Sequence, residues 1–192
     1  MWRTMAVAIL LTGCAAQVRP DNTALCLVFD DGSCSGTVIG PHAILSATHC
    51  FVGAKRLSID GQLVTIIDRI DDGHDHTIIF AGARLPHASR IGAAPYTGER
   101  VSIYGNPGDL RDMYRTGYIA GTAISAGQRI IVADLHIFYG DSGAGVFNDA
   151  GALVAVLSSM YTMNSGSGQS FEMAGMFPLA FTSAQWARAR GS

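Results

Sequence analysis

The segment Gly140-Asp141-Ser142-Gly143-Ala144-Gly145 constrains this chain more than any other. A serine set between glycines lies on backbone that can turn sharply and approach another molecule closely, because no Cβ stands in the way. Its hydroxyl becomes a nucleophile only when a base takes its proton and N–H groups receive the charge that develops on the attacked oxygen. A candidate base lies far upstream, in Ser46-Ala47-Thr48-His49-Cys50. Imidazole suits that task, since its ordinary titration lies nearest neutral pH. A carboxylate to orient it stands between the two, in Asp75-His76-Thr77-Ile78-Ile79-Phe80, where it leads into an apolar run. Each piece alone is commonplace: the glycine-rich segment suits a surface turn, His49 a buried structural histidine, Asp75 a solvated loop acid. All three in the order His, Asp, Ser outweigh those readings.

That order and these local contexts resemble the trypsin-like (chymotrypsin-fold) serine proteases, over about residues 24–182. The α/β-hydrolases run Ser, Asp, His instead, and their Gly-x-Ser-x-Gly elbow fails here at Ala144. The resemblance implies an all-β fold: two antiparallel six-stranded β-barrels (chymotrypsin-like) with a C-terminal helix at about 182–190. The first barrel would span about 24–88 and the second about 99–182, joined by a connector at about 89–98. His49 would then be the general base, Asp75 its orienting acid and Ser142 the nucleophile, meeting in the cleft between the barrels. The backbone N–H groups of Gly140 and Ser142 would form the oxyanion hole. Asp75 is preferred over Asp71 and Asp72 because Thr77-Ile78-Ile79 follows it like the family's buried strand, whereas the other two sit in a turn composition.

The same resemblance implies a disulfide between Cys34 and Cys50, bracing the histidine loop. Closing a loop of that size contributes about 3 kcal/mol in the chain-entropy model. Ser158, Ser159 and Met160 would line the substrate pocket, with His136, six residues before the nucleophile, at its base. A histidine there gives no support to a preference for Arg or Lys and suggests an acidic or polar P1 side chain; its plain alternative is a strand residue. No Ile-Val-Gly-Gly-like segment is present to pair with Asp141, so that acid needs another partner or stays solvated.

The amino terminus reads as a leader rather than as part of the fold. Arg3 precedes a short apolar stretch, and Leu11-Thr12-Gly13-Cys14 resembles a bacterial lipobox. Residues 1–13 would be removed and Cys14 acylated, leaving 14–23 as a tether to a membrane. The alternative is an ordinary secretory signal cut near Ala15 or Ala16. Either way the expectation is export to the periplasm or cell envelope. Cys26 reads as a small buried apolar residue, or as a partner for Cys14 if that cysteine escapes acylation. No cysteine pair has zinc-like spacing, and His74-Asp75-His76 lacks further ligands, so neither metal nor cofactor is expected.

Charged residues make up only 15% and the net charge is −2, which excludes a basic field for nucleic acid. Twenty-three glycines suit a turn-rich β protein. Strands are expected at 24–29, 35–39, 43–46, 56–59, 62–67, 77–80, 101–104, 113–120, 128–133, 145–147, 153–158 and 173–179, with a helical turn at 47–51. Residues 164–169, with Gly and Ser interleaved, read as a surface loop, and Trp186 as the packing anchor of the terminal helix. The functional expectation is a monomeric serine endopeptidase acting on proteins or peptides through an acyl-enzyme. Two alternatives stand beside it: a catalytically silent binding or structural module of an envelope or virion, and an esterase with the same triad.

Overall fold

A computed structural model of the chain describes residues 20–29, 32–52, 57–108, 110–164 and 166–191. The expected leader, Cys14 and most of the expected tether lie outside the described residues. The first half supplies strands β1 (Ala24–Phe29), β2 (Gly32–Gly40), β3 (Ala43–Ala47), β4 (Leu57–Ile59), β5 (Gln62–Val64), β6 (Ile66–Asp71) and β7 (His76–Ala81). The second supplies β8 (Arg100–Gly105), β9 (Met113–Ser125), β10 (Gln128–Asp134), β11 (Gly145–Asn148), β12 (Leu153–Val156), β13 (Ser159–Asn164) and β14 (Ser170–Met176). Each half is one antiparallel sheet of seven strands, in the orders β5-β4-β1-β2-β3-β7-β6 and β12-β11-β8-β9-β10-β14-β13. The one α-helix among the described residues, α1 (Ser183–Arg190), follows.

Seven strands replace the expected six for a geometric reason. In each sheet the two margins are consecutive in the chain: only Thr65 separates β5 from β6, and only Leu157 and Ser158 separate β12 from β13. One bent pass therefore pairs with β4 at its start and β7 at its end, and each sheet curls back on itself as a barrel must. Counted as passes of the chain, each barrel has six. Residues 62–67 read as one strand in sequence because the bend at Thr65 interrupts the ladder and not the extended backbone.

The apolar runs fill three clusters. Leu25, Leu27, Val38, Ile44 and Ile79 pack inside the first barrel, and Ile103, Ile119, Val146, Leu157 and Met176 inside the second. The third joins the halves: Ile39, Leu45, Ile78 and Phe80 of the first meet Phe147, Leu153 and Val156 of the second, beneath Phe181 and Ala189 at the terminal helix. Trp186 packs edge-on against Phe181, with ring centroids 5.2 Å apart, which is the anchoring role expected of it. Thr182 caps α1 through a reciprocal capping box with Gln185, and Gly191 closes it in the left-handed region at φ 76°.

Candidate active site

His49 lies in the short 3-10 turn Thr48–Phe51 that follows β3. The Cys34–Cys50 disulfide ties this turn to β2, as expected. With both sulfurs committed to that bond, the grouping of Cys34, His49 and Cys50 offers no thiolate to a metal ion. Cys26 is buried and free.

Asp75 sits immediately before β7 and meets His49 three times. Its Oδ2 lies 2.9 Å and its Oδ1 3.1 Å from His49 Nδ1, while the His49 backbone N–H donates to Oδ1 at 2.9 Å. The Asp75 carbonyl also accepts from the Thr48 N–H at 2.9 Å. These bonds hold an unusual backbone: Asp75 has φ 101°, a region that costs a non-glycine residue on the order of 1–3 kcal/mol. Asp71 and Asp72 are engaged elsewhere, the first with Arg69 and the second with His76. Of the three neighbouring acids, Asp75 is the one that meets His49.

Ser142 is carried by the second half but held by the first. The Ser35 N–H of β2 donates to the Ser142 carbonyl at 2.8 Å, and Ser35 Oγ donates to the Gly140 carbonyl at 2.8 Å. The Thr37 hydroxyl accepts the Gly145 N–H at 2.9 Å. The halves come so close here that a Cβ at Gly143 would stand 2.2 Å from both the Ser35 carbonyl and Ser46 Oγ. Gly143 also has φ 85°, so this position admits glycine alone on both counts.

The peptide orientations around Ser142 follow from two further bonds. The Tyr139 carbonyl accepts from the Gly108 N–H at 3.1 Å, and the Asp141 carbonyl accepts from the Ala144 N–H at 2.9 Å. In a trans peptide the N–H points opposite to the C=O. The N–H groups of Gly140 and Ser142 are therefore turned away from those partners, and neither donates to another backbone carbonyl among the described residues.

Asp141 is buried and has found a partner that the sequence did not reveal. Arg115 of β9 grips it at both ends, Nη2 to Oδ1 at 2.5 Å and Nη1 to Oδ2 at 2.6 Å. The Phe138 N–H donates to Oδ2 at 2.7 Å. The two residues are 26 positions apart with no pattern linking them; they meet beside Gly105 of β8, where a Cβ would stand 2.0 Å from Asp141 Oδ1 and 2.6 Å from Arg115 Nη2.

A cleft of about 280 Å³ is lined by His49, Ser142, Ile137, Ser158, Ser159 and Met160, together with Phe138, Tyr139, Asp141 and Leu157. Three of the four expected pocket residues are thus in place. His136 is the correction: it is exposed and does not line the cleft. Its carbonyl accepts from Arg115 Nη1 at 3.3 Å, and the next residue, Ile137, lines the cleft in its stead. The expected preference for acidic P1 side chains loses its basis.

Sequence reasoning missed a buried constellation below the cleft. Asp72 Oδ2 lies 2.7 Å from His76 Nδ1, and His76 Nε2 lies 3.3 Å from Ser158 Oγ. The Asp72 carboxylate and the His76 imidazole are both fully buried. Burial by itself would raise the Asp72 carboxyl. The hydrogen bond and charge of His76, with N–H bonds from His74 and Ala180, outweigh it and hold the carboxyl below its ordinary value of 3.8.

A family model, the trypsin-like peptidase domain, matches residues 34–156. No curated protein matches the sequence. Among solved structures, the chain is similar to Rv3671c from M. tuberculosis H37Rv in the inactive form of a serine-to-alanine mutant. There the TM-score is 0.69 at 15% identity, covering 88% of this chain and 87% of that one. A second structure, of Rv3671c protease in an inactive form, gives 0.70 at 16% identity, covering 88% and 90%. At that identity the likeness is one of fold.

Proposed function

Since this chain belongs to the trypsin-like peptidase domain family, we propose that it is a serine endopeptidase working through His49, Asp75 and Ser142. The observation that carries the reading is the doubly bonded His49–Asp75 pair in the same cleft as Ser142. With Nδ1 donating to Asp75, the imidazole keeps its Nε2 lone pair for the serine proton. Ser142 Oγ attacks the substrate carbonyl carbon while its proton passes to His49. The oxyanion formed is received by the N–H groups of Gly140 and Ser142. His49 then returns the proton to the leaving amine, and a water molecule hydrolyses the acyl-enzyme by the same route reversed.

A fluorophosphonate probe tests this directly. Covalent labelling is expected in the wild type and lost in Ser142→Ala and His49→Ala. A silent structural module would give no labelling, and an esterase would label but leave amide substrates uncut.

The cleft favours a medium-sized apolar P1 side chain, because Ile137, Leu157 and Met160 line it and the acid on its wall, Asp141, is already paired with Arg115. A peptide-library cleavage profile is expected to peak at such residues. A profile of acidic or basic P1 residues would reject this assignment.

The leader supports export and acylation at Cys14, and no described helix is long and apolar enough to cross a membrane. Metabolic labelling with palmitate, abolished in Cys14→Ser, is the expected result for a lipid-anchored enzyme of the cell envelope.

A further inference from the structure

The geometry points to Asp72, His76 and Ser158 as a positioning relay that locks the strained acid Asp75 and the pocket wall into one unit. This inference rests on the triad reading above.

The argument begins at the backbone of Asp75. A residue with a side chain keeps φ 101° only where its surroundings over-determine it. Asp72 supplies that determination. Its Oδ1 accepts the N–H of His74 at 2.8 Å and of His76 at 3.1 Å, the two residues flanking Asp75. A carboxylate bonded on both sides of a peptide pair fixes the turn between them. Asp72 is in turn fixed by its other oxygen. Oδ2 meets His76 Nδ1 at 2.7 Å and accepts the Ala180 N–H, just before the terminal helix, at 3.2 Å.

His76 carries the connection across the molecule. Its ring is fully buried, beside Phe177, with which it makes an edge-on contact at 6.5 Å. With Nδ1–H donated to Asp72, Nε2 is an acceptor, and the nearby donor is the Ser158 hydroxyl. Ser158 lies at the bend between β12 and β13 and also lines the substrate cleft. Its backbone N–H is tied to the Gly175 carbonyl at 3.1 Å. A hydrogen-bonded path thus runs from the pocket wall in one barrel to the turn carrying Asp75 in the other. Neither His76 nor Asp72 lines the cleft, so both act through Asp75 and Ser158 and are positioning residues.

The test uses the full chain and two readouts. One is the rate at which the fluorophosphonate labels Ser142. The other, which needs no turnover, is the downfield NMR resonance of the His49 Nδ1–H bonded to Asp75. In Ser158→Ala, which removes one hydroxyl, labelling is expected to slow roughly tenfold, as small misplacements of catalytic groups do, and the resonance to shift or broaden. Ser158→Thr, which keeps the hydroxyl, is expected to restore both. His76→Phe preserves bulk and removes both bonds, so its loss should be at least as large; should it fail to fold, the Ser158 pair still decides. Folded Ser158→Ala with a labelling rate within about twofold of wild type and an unmoved resonance would overturn the relay, whatever its melting temperature. Wild-type protein that resists labelling would count against the triad reading alone, and the resonance would still test the relay.

Discussion

Arg115 does for Asp141 what no backbone group could do alone. A carboxylate with 2% of its side chain exposed must be paired or neutralised, and a guanidinium offers two parallel donors in the right geometry. That bond sits one residue from Ser142 and also secures the Phe138 side of the turn through the shared Oδ2. Arg115→Met should therefore destabilise the protein by about 3–5 kcal/mol in urea unfolding, because it strands a buried charge. Arg115→Lys should recover only part, since one ammonium cannot replace the two-pronged contact. Asp75→Asn should fold normally and lose about 10⁴-fold in kcat by presenting the wrong face to His49, as measured by amide hydrolysis. The three residues proposed as a triad could be picked out because each carries a local signature of its own. Arg115 and His76 carry none: an isolated arginine on a strand and a histidine in a β-run acquire meaning only from what the sheets bring beside them. His136 does not line the cleft for a related reason: counting back six residues from Ser142 does not say which side chain of a turn faces inward.

At the scale of the elements, the tie between β2 and the His49 turn is the simplest to probe. Replacing Cys34 and Cys50 together by alanine should lower stability by about 3 kcal/mol in reversible denaturant unfolding, the value for a loop spanning 16 residues. The same change should slow probe labelling of Ser142, because the turn holding His49 loses its anchor to β2. Most strands were legible from alternation and turn composition: β1 matches the expected 24–29 and β7 differs by one residue at each end. Two were not. β13 (Ser159–Asn164) has polar and apolar side chains without a clear period and pairs only with β14, whose first three residues are exposed, so no alternation marked it. β9 runs on to Ser125, past the expected end near 120, because Gly121 absorbs a shift in register opposite Val132 and Ala133 and lets the strand continue.

Across the whole molecule, the halves are joined by polar contacts around Ser142 and apolar packing beneath α1. Asp72 contributes to both, since it reaches the chain before the helix through Ala180 as well as His76. Its folded-state carboxyl titrates below the ordinary 3.8, so the unfolded chain takes up the proton first. The stability it supplies is complete above that value and is lost as pH falls through the lower folded-state value. Melting temperatures recorded from about pH 6 down to about pH 2 should fall more steeply for wild type than for Asp72→Asn, which should begin lower and change less. The two-barrel plan was legible as a family likeness, but the bend that closes each barrel was not, because extended backbone looks alike on either side of Thr65. That bend has a consequence for the protein's life at high concentration. A polypeptide whose single bent pass forms both margins of a sheet exposes only short edge ladders, at β5 and β6 in one half and at β12 and β13 in the other, on which a foreign segment can dock. Fibril growth by recruiting neighbours gains a longer template only when Thr65 or the Leu157–Ser158 corner straightens.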